Sequence, residues 1–312
     1  MTALLHRLVD LCAMWSEDVR DRPAIAFRPA KGVALECFGP LPPLAGGPPE
    51  SGRWVGPSPR PVAGDRTMEV WAQPAAAPRR GTAVLVPPWK VPGLDTMSGY
   101  ARLLGRAGLD VWTLVPPRHL GRAAPGTRSG EGFVSPNLPD VRAAIEQLVL
   151  EIRALAAHAG ARGGEVVLVG LSLGALAAAL AATGPERIDR VALLAPPADV
   201  AAVFAQTPIG RRYLRLAERA GAPMAEAPVL EEMLLPFRPD RRPRPAGQVL
   251  IAAGSHDQIA LHDGALRLAD AWGVEPRVYA AGHLTLLFAS GALRRDLAAF
   301  LAEPIATTAA RA

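Results

Sequence analysis

From residue 65 to residue 303 the chain alternates short apolar runs with helix-length stretches of mixed polarity. Thr67 to Gln73 alternates polar and apolar positions, the period of a strand with one wet face, and reads as an edge strand. Thr82 to Val86, Asp110 to Val115, Glu165 to Val169, Arg190 to Ala195, Gln248 to Ala253 and Pro276 to Ala281 are rich in β-branched or apolar residues, as buried strands are. Between them, Asp95 to Ala107 (closed by Gly108), Leu138 to Ala159, Leu173 to Ala182, Ala260 to Trp272 and Ser290 to Ala302 carry helix-forming residues. Strand and helix in alternation predict an α/β fold: a doubly wound, mostly parallel sheet with ligands at the carboxyl ends of the strands.

Three segments break this rhythm. Met1 to Arg20 has the apolar spacing of an amphipathic helix (Leu4, Leu5, Leu8, Leu11, Trp15). Residues 39–64 are dense in proline and glycine and read as an extended segment wrapping the surface, so residues 1–64 form a helix plus wrapping arm ahead of a 65–303 domain and a 304–312 tail. About fifty residues separate the strand at Arg190 from that at Gln248, far more than a crossover needs; 198–246, with helical stretches at Gly210 to Ala220 and Pro228 to Leu235, is expected to be a helical lid.

Composition narrows the classes. In 312 residues, half are apolar and a fifth charged, ordinary for a globular protein. The +5 charge rests on scattered arginines, with Lys31 and Lys90 the only lysines. The one cluster, Arg238, Arg241, Arg242 and Arg244, lies in a proline-rich stretch without interleaved aromatics, which argues against a nucleic-acid reader. Cys12 and Cys37 make neither a disulfide framework nor a metal site, and fit free thiols in a reducing, cytoplasmic compartment. Arg7, Asp10, Glu17 and Asp18 interrupt the N-terminal stretch as a signal peptide, and no apolar run is long enough to span a bilayer.

The chemistry centres on Gly170-Leu171-Ser172-Leu173-Gly174, placed between the apolar run Val166 to Val169 and an alanine-rich helix. Strand, Gly-x-Ser-x-Gly turn and helix resemble the nucleophile elbow of the α/β-hydrolase superfamily. A serine hydroxyl needs a base to take its proton, and the base needs an acid to fix its tautomer. In that fold the order is nucleophile, acid, histidine, each at a strand end. Asp257 follows the strand Gln248 to Ala253, and His283 follows the strand ending at Tyr279, so Ser172, Asp257 and His283 are the candidate catalytic residues. Asp199, after the strand Arg190 to Ala195, is the alternative acid. His256, His262, His6 and His158 are expected elsewhere, the last two in structural roles on helices remote from the strand ends. The oxyanion donors are expected to be the backbone N–H groups of Leu173 and of Trp89, with Lys90 behind it, because Pro87 and Pro88 have none to give.

The resemblance covers roughly residues 65–303 and implies the α/β-hydrolase fold, that triad and ester-type hydrolysis. A narrower likeness is to bacterial α/β-hydrolase-like proteins of poorly defined substrate, which carry a Pro-x-His-x-x-Arg segment followed by Ser-Gly-Glu. Here these read Pro117-Arg118-His119-Leu120-Gly121-Arg122 and Ser129-Gly130-Glu131. His119 and Arg122 are therefore candidates to meet a polar or anionic substrate group, the other reading being loop-stabilising hydrogen bonds. Pro87-Pro88 replaces the usual His-Gly before the oxyanion donor, a departure from the commonest pattern. The sequence points to a serine hydrolase acting on a small-molecule carboxylic ester or thioester through an acyl-enzyme, without cofactor or metal. An acyltransferase on the same triad and a non-catalytic ligand-binding homologue are the alternatives; oligomeric state is left open.

Overall fold

Strands form where β-branched and other apolar residues can be buried on both faces. The computed structural model describes residues 2–15, 39–62, 65–135, 138–219 and 227–305. The strands are β1 (Gly52–Val62), β2 (Asp65–Gln73), β3 (Gly81–Val86), β4 (Leu109–Val115), β5 (Glu165–Leu171), β6 (Arg190–Leu194), β7 (Gln248–Gly254) and β8 (Arg277–Tyr279). They make one eight-stranded sheet in the order β1-β2-β4-β3-β5-β6-β7-β8. β2 runs antiparallel to β1 and β4, and every other pair is parallel. Every residue of β3, β4 and β6 is buried, as the central strands of a sheet covered on both faces should be.

The helices are α1 (Ala3–Trp15), α2 (Ser98–Arg106), α3 (Leu138–Ala161), α4 (Leu173–Ala182), α5 (Val200–Gln206), α6 (Pro208–Arg219), α7 (Ala227–Leu234), α8 (His262–Ala271), α9 (His283–Ala289) and α10 (Gly291–Ala302). One apolar layer joins the sheet to α3, α4 and α8, with Phe204 of α5 and Tyr213 of α6 in it. The opposite layer joins the sheet to α2, α9 and α10. The fold expected from the sequence is thus present. The stretch between β6 and β7 holds α5, α6 and α7, with 220–226 outside the described residues.

Two expectations need correction. Thr67 to Gln73 is not the edge: β1 lies outside it, inside what the proline and glycine content marked as an irregular wrapping segment. Pro57, Pro59 and Pro61 fall in β1, whose pairing with β2 slips between Pro57 and Val62. An edge strand tolerates proline because the missing N–H has no ladder partner on the outer side. The predicted helix Asp95 to Ala107 begins as a 3₁₀ turn at Leu94–Met97 before α2. Residues 16–20 of the predicted N-terminal helix, Lys31, Cys37 and the tail from 306 lie outside the described residues. Cys12 is an exposed thiol.

Candidate active site

β5 delivers Ser172 at its carboxyl end in a conformation few side chains adopt, φ 53° and ψ −117°. Such backbone costs on the order of 1–3 kcal/mol and persists only when the surroundings impose it. Here the Ser172 N–H donates to the Leu194 carbonyl at 2.8 Å, and its own carbonyl accepts from Ala175 and Leu176. A Cβ on Gly170 would stand 2.3 Å from the Gly174 carbonyl oxygen, and one on Gly174 2.2 Å from that of Val86. The two glycines of the motif are what lets β5, α4 and the end of β3 close around the serine. α4 behind it is buried along its whole length.

The loops after β7 and β8 bring the partners. His283 Nε2 lies 2.8 Å from Ser172 Oγ, and His283 Nδ1 lies 2.7 Å from Asp257 Oδ2. All three side chains are buried. Asp257 Oδ1 accepts the N–H groups of Ile259 and Ala260, both at 2.8 Å. Burial works to raise the Asp257 pKa, but the His283 charge and hydrogen bond, with those two N–H donors, hold it below the ordinary carboxylate value. Burial would lower the His283 pKa; the charge and hydrogen bond of Asp257, helped by Asp10, raise it instead. An ionised carboxylate only accepts, so Nδ1 carries the proton and Nε2 is left to accept from the serine hydroxyl.

Asp199, the alternative acid, is engaged elsewhere. It caps α5 through the Ala202 N–H and pairs with Arg267 at 2.7 Å and Arg238 at 3.3 Å. His262 pairs with Asp263, and His158 stacks against Trp112. His6 is not remote from the strand ends: its Nδ1 lies 2.7 Å from Thr285 Oγ1, in the first turn of α9.

Neither the Leu173 nor the Trp89 backbone N–H meets an acceptor among the described residues. The loop carrying Trp89 is fastened at three successive residues by the two motifs singled out in the sequence. Trp89 Nε1 donates to the Gly130 carbonyl at 2.8 Å, the Lys90 N–H donates to His119 Nε2 at 2.9 Å, and Ser129 Oγ donates to the Val91 carbonyl at 2.7 Å. His119 Nδ1 in turn donates to the Pro117 carbonyl at 2.8 Å. Burial, against that hydrogen bond, pushes the His119 pKa down to about 4, so the ring is neutral and its tautomer fixed.

The Arg122 guanidinium is buried as well. All five of its N–H donors are taken, by Asp65, Glu151 and the Val115 carbonyl. Ser58 and Gln147 add hydrogen bonds to Glu151, so this buried cluster joins β1, β2, β4 and α3. No donor or acceptor of either side chain is left over, which favours the loop-stabilising reading of His119 and Arg122 over contact with a substrate group.

Ser172 opens on a cavity of about 110 Å³ whose walls are almost wholly apolar. Trp89, Phe133, Ile145 and Leu176 line one side, and Val203, Phe204, Ile209 and Tyr213 of α5 and α6 close the other. Among the described residues there is no cluster of ligand side chains fit for a metal, and no helix long and apolar enough to cross a membrane.

Sequence reasoning missed two things. Asp10 of α1 binds the backbone at His283, a contact across 273 positions that no local pattern announces. The fastening of residues 89–91 is half visible in the sequence: the two motifs stand out, and loop-stabilising hydrogen bonds are one of their two readings, but their partners at 89–91 are not announced.

Comparison with known proteins adds a family match. A family model described as serine hydrolase matches residues 146–293, a span that holds Ser172, Asp257 and His283. No curated protein matches the chain. Among solved structures, the monoacylglycerol lipase of Paleococcus ferrophilus superposes with a TM-score of 0.51 at 19% identity, covering 74% of this chain and 98% of that one. An esterase of Pyrococcus furiosus gives 0.51 at 17% identity, covering 75% and 87%.

Proposed function

We propose that this serine hydrolase of the α/β-hydrolase superfamily cleaves a small carboxylic ester or thioester with an apolar acyl chain, through an acyl-enzyme. The observation that carries the reading is one unbroken relay, Asp257–His283–Ser172, opening on an apolar cavity. Ser172 Oγ attacks the acyl carbon while its proton passes to His283 Nε2, and Asp257 steadies the imidazolium that forms. The carbonyl oxygen becomes an oxyanion facing the N–H groups of Leu173 and Trp89. Collapse breaks the carbon–oxygen or carbon–sulfur bond, and His283 returns the proton to the leaving alkoxide or thiolate. Water then repeats the cycle on the acyl-enzyme and releases the acid.

The insertion acts as a lid in this reading, because α5 and α6 form the wall that separates the acyl chain from solvent. A cavity of about 110 Å³ with almost wholly apolar walls favours a short to medium acyl chain over a long one.

A fluorophosphonate probe tests the chemistry. It is expected to label the wild-type protein and spare Ser172→Ala. Equal labelling of the two would overturn the assignment.

A further inference from the structure

We propose that Asp10 is a positioning residue of the active site: a carboxylate delivered by the N-terminal helix that holds the loops of the base and the acid in register. The inference rests on the Ser172–His283–Asp257 reading above.

Asp10 is completely buried. Its Oδ2 accepts the His283 N–H at 2.7 Å and the Gln258 N–H at 3.3 Å, and its Oδ1 accepts the Leu284 N–H at 3.1 Å. Gln258 follows Asp257 directly, so one carboxylate bridges the loop of the acid and the loop of the base. Burying an ionised carboxylate is costly unless its oxygens are hydrogen-bonded, and these three N–H groups meet that need.

The loop is shaped for this visitor. The first N–H groups of a helix have no intrahelical acceptor and are ordinarily served by a side chain at the residue before it. Before α9 that residue is Gly282, which has no side chain to offer. A Cβ there would stand 2.8 Å from both Asp10 Oδ2 and the His6 carbonyl oxygen. α1 thus supplies from a distance the acceptor that the loop lacks, and His6 adds its bond to Thr285. The alignment of the imidazole between Ser172 and Asp257 follows from the backbone to which Asp10 is bonded.

The groups facing His283 make the electrostatic consequence readable. Asp257 and Asp10 are the charges that act on its imidazole. His6 is bonded to Thr285, His256 stacks on His6 at 5.9 Å, and Arg7 reaches the polar cavity behind Asp257. Removing the Asp10 charge therefore favours the neutral imidazole.

The test uses the full-length chain. The His283 imidazole is titrated by NMR in wild type and Asp10→Asn, and fluorophosphonate labelling is followed across the neutral pH range. The imidazole of Asp10→Asn is expected to titrate at lower pH than wild type, and labelling per folded molecule to fall about 10- to 100-fold, the scale of a small misplacement of a catalytic group. Asp10→Glu, which keeps the charge, should recover part of the rate, and Leu8→Gln on the exposed face of α1 should match wild type. An unmoved imidazole titration overturns the proposal, as does a loss of rate that only tracks melting temperature. Should Asp10→Asn not fold, Gly282→Ala is expected to push the carboxylate away and move the titration in the same direction, and no move there is equally fatal. If the Asp10→Asn titration moves as expected but wild type is not labelled, the hydrolase reading fails while the role of Asp10 stands.

Discussion

The His119 imidazole accepts the main-chain N–H of Lys90 at 2.9 Å, and this bond commits that N–H within the loop after β3. With Lys90 committed to His119, the proposed oxyanion role falls to the neighbouring Trp89 N–H. His119→Ala removes the acceptor of the half-buried Lys90 N–H, a cost of about 1 kcal/mol. The expected result is a fall in kcat of about 10- to 100-fold with KM nearly unchanged, since an oxyanion donor acts chiefly in the transition state. Steady-state kinetics on a soluble ester checks it; a rise in KM alone would return His119 to substrate binding.

His119 and His283 respond to pH in opposite senses. His119 takes up a second proton only below about pH 4 in the folded chain but near the ordinary histidine value when unfolded. Its contribution to stability is therefore present above the ordinary histidine pKa and lost as pH falls from there toward about 4, a loss of roughly 3 kcal/mol by linkage. His283, with its pKa raised, contributes stability below the ordinary value and loses it as pH rises through the raised one. Melting curves between these limits should therefore show a smaller acid-side loss in His119→Ala than in wild type. Equal slopes would contradict it.

The same raised pKa governs activity, because only neutral His283 can take the serine proton. The acid limb of kcat/KM is expected above the ordinary histidine pKa. Asp257→Asn removes the charge that holds it there and the acceptor that fixes the tautomer. The limb should move to lower pH, and kcat should fall by about 10⁴-fold. A variant that loses rate without moving the limb would assign the acid to another carboxylate.

Arg122 should matter for stability and not for turnover. Its guanidinium is buried against Asp65 at 2.9 Å and Glu151 at 2.7 Å. Burial keeps the Glu151 pKa above the usual carboxylate value even beside that charge. Arg122→Ala strands two carboxylates among β1, β2 and α3, a loss of about 3–5 kcal/mol. Chemical denaturation should read that loss, while kcat/KM per folded molecule stays within about twofold, since no donor of Arg122 faces the cavity. Lysine is expected to rescue little, because it cannot reproduce the five-donor fork.

The sheet and the relay were legible because both are written locally. A buried strand between helices needs a dense run of β-branched or apolar residues, and Glu165 to Leu171 has one. Ser172, Asp257 and His283 each stand just past such a run. β1 escaped because Pro57, Pro59 and Pro61 mark irregular backbone everywhere except on an outer strand, and nothing nearby tells the two apart. Asp10 escaped for a different reason. An acidic residue on an amphipathic helix looks like solvent-facing charge until the helix docks, and its partners are main-chain N–H groups that have no sequence signature. His119 and Ser129 lie between these cases: the residue types were conspicuous, but whether they hold a ligand or a loop depends on the path of residues 89–91.

The cavity wall formed by α5 and α6 makes acyl-chain length adjustable. Ile209 and Val203 are only partly buried and face the cavity, so changing their size disturbs the core less than changing Phe204 would. Each methylene gained or lost in an apolar pocket is worth about 1–3 kcal/mol in transition-state binding, or about 10- to 200-fold in kcat/KM. Val203→Phe should shift the optimum in a series of p-nitrophenyl esters toward shorter acyl chains, and Ile209→Ala toward longer ones. In both variants the rate on the acetyl ester should stay close to wild type, because that group need not reach α5 or α6. A length profile that moves in neither variant would mean that the acyl chain lies outside this cavity, while an equal loss on every ester would place the two residues in the support of Ser172 instead.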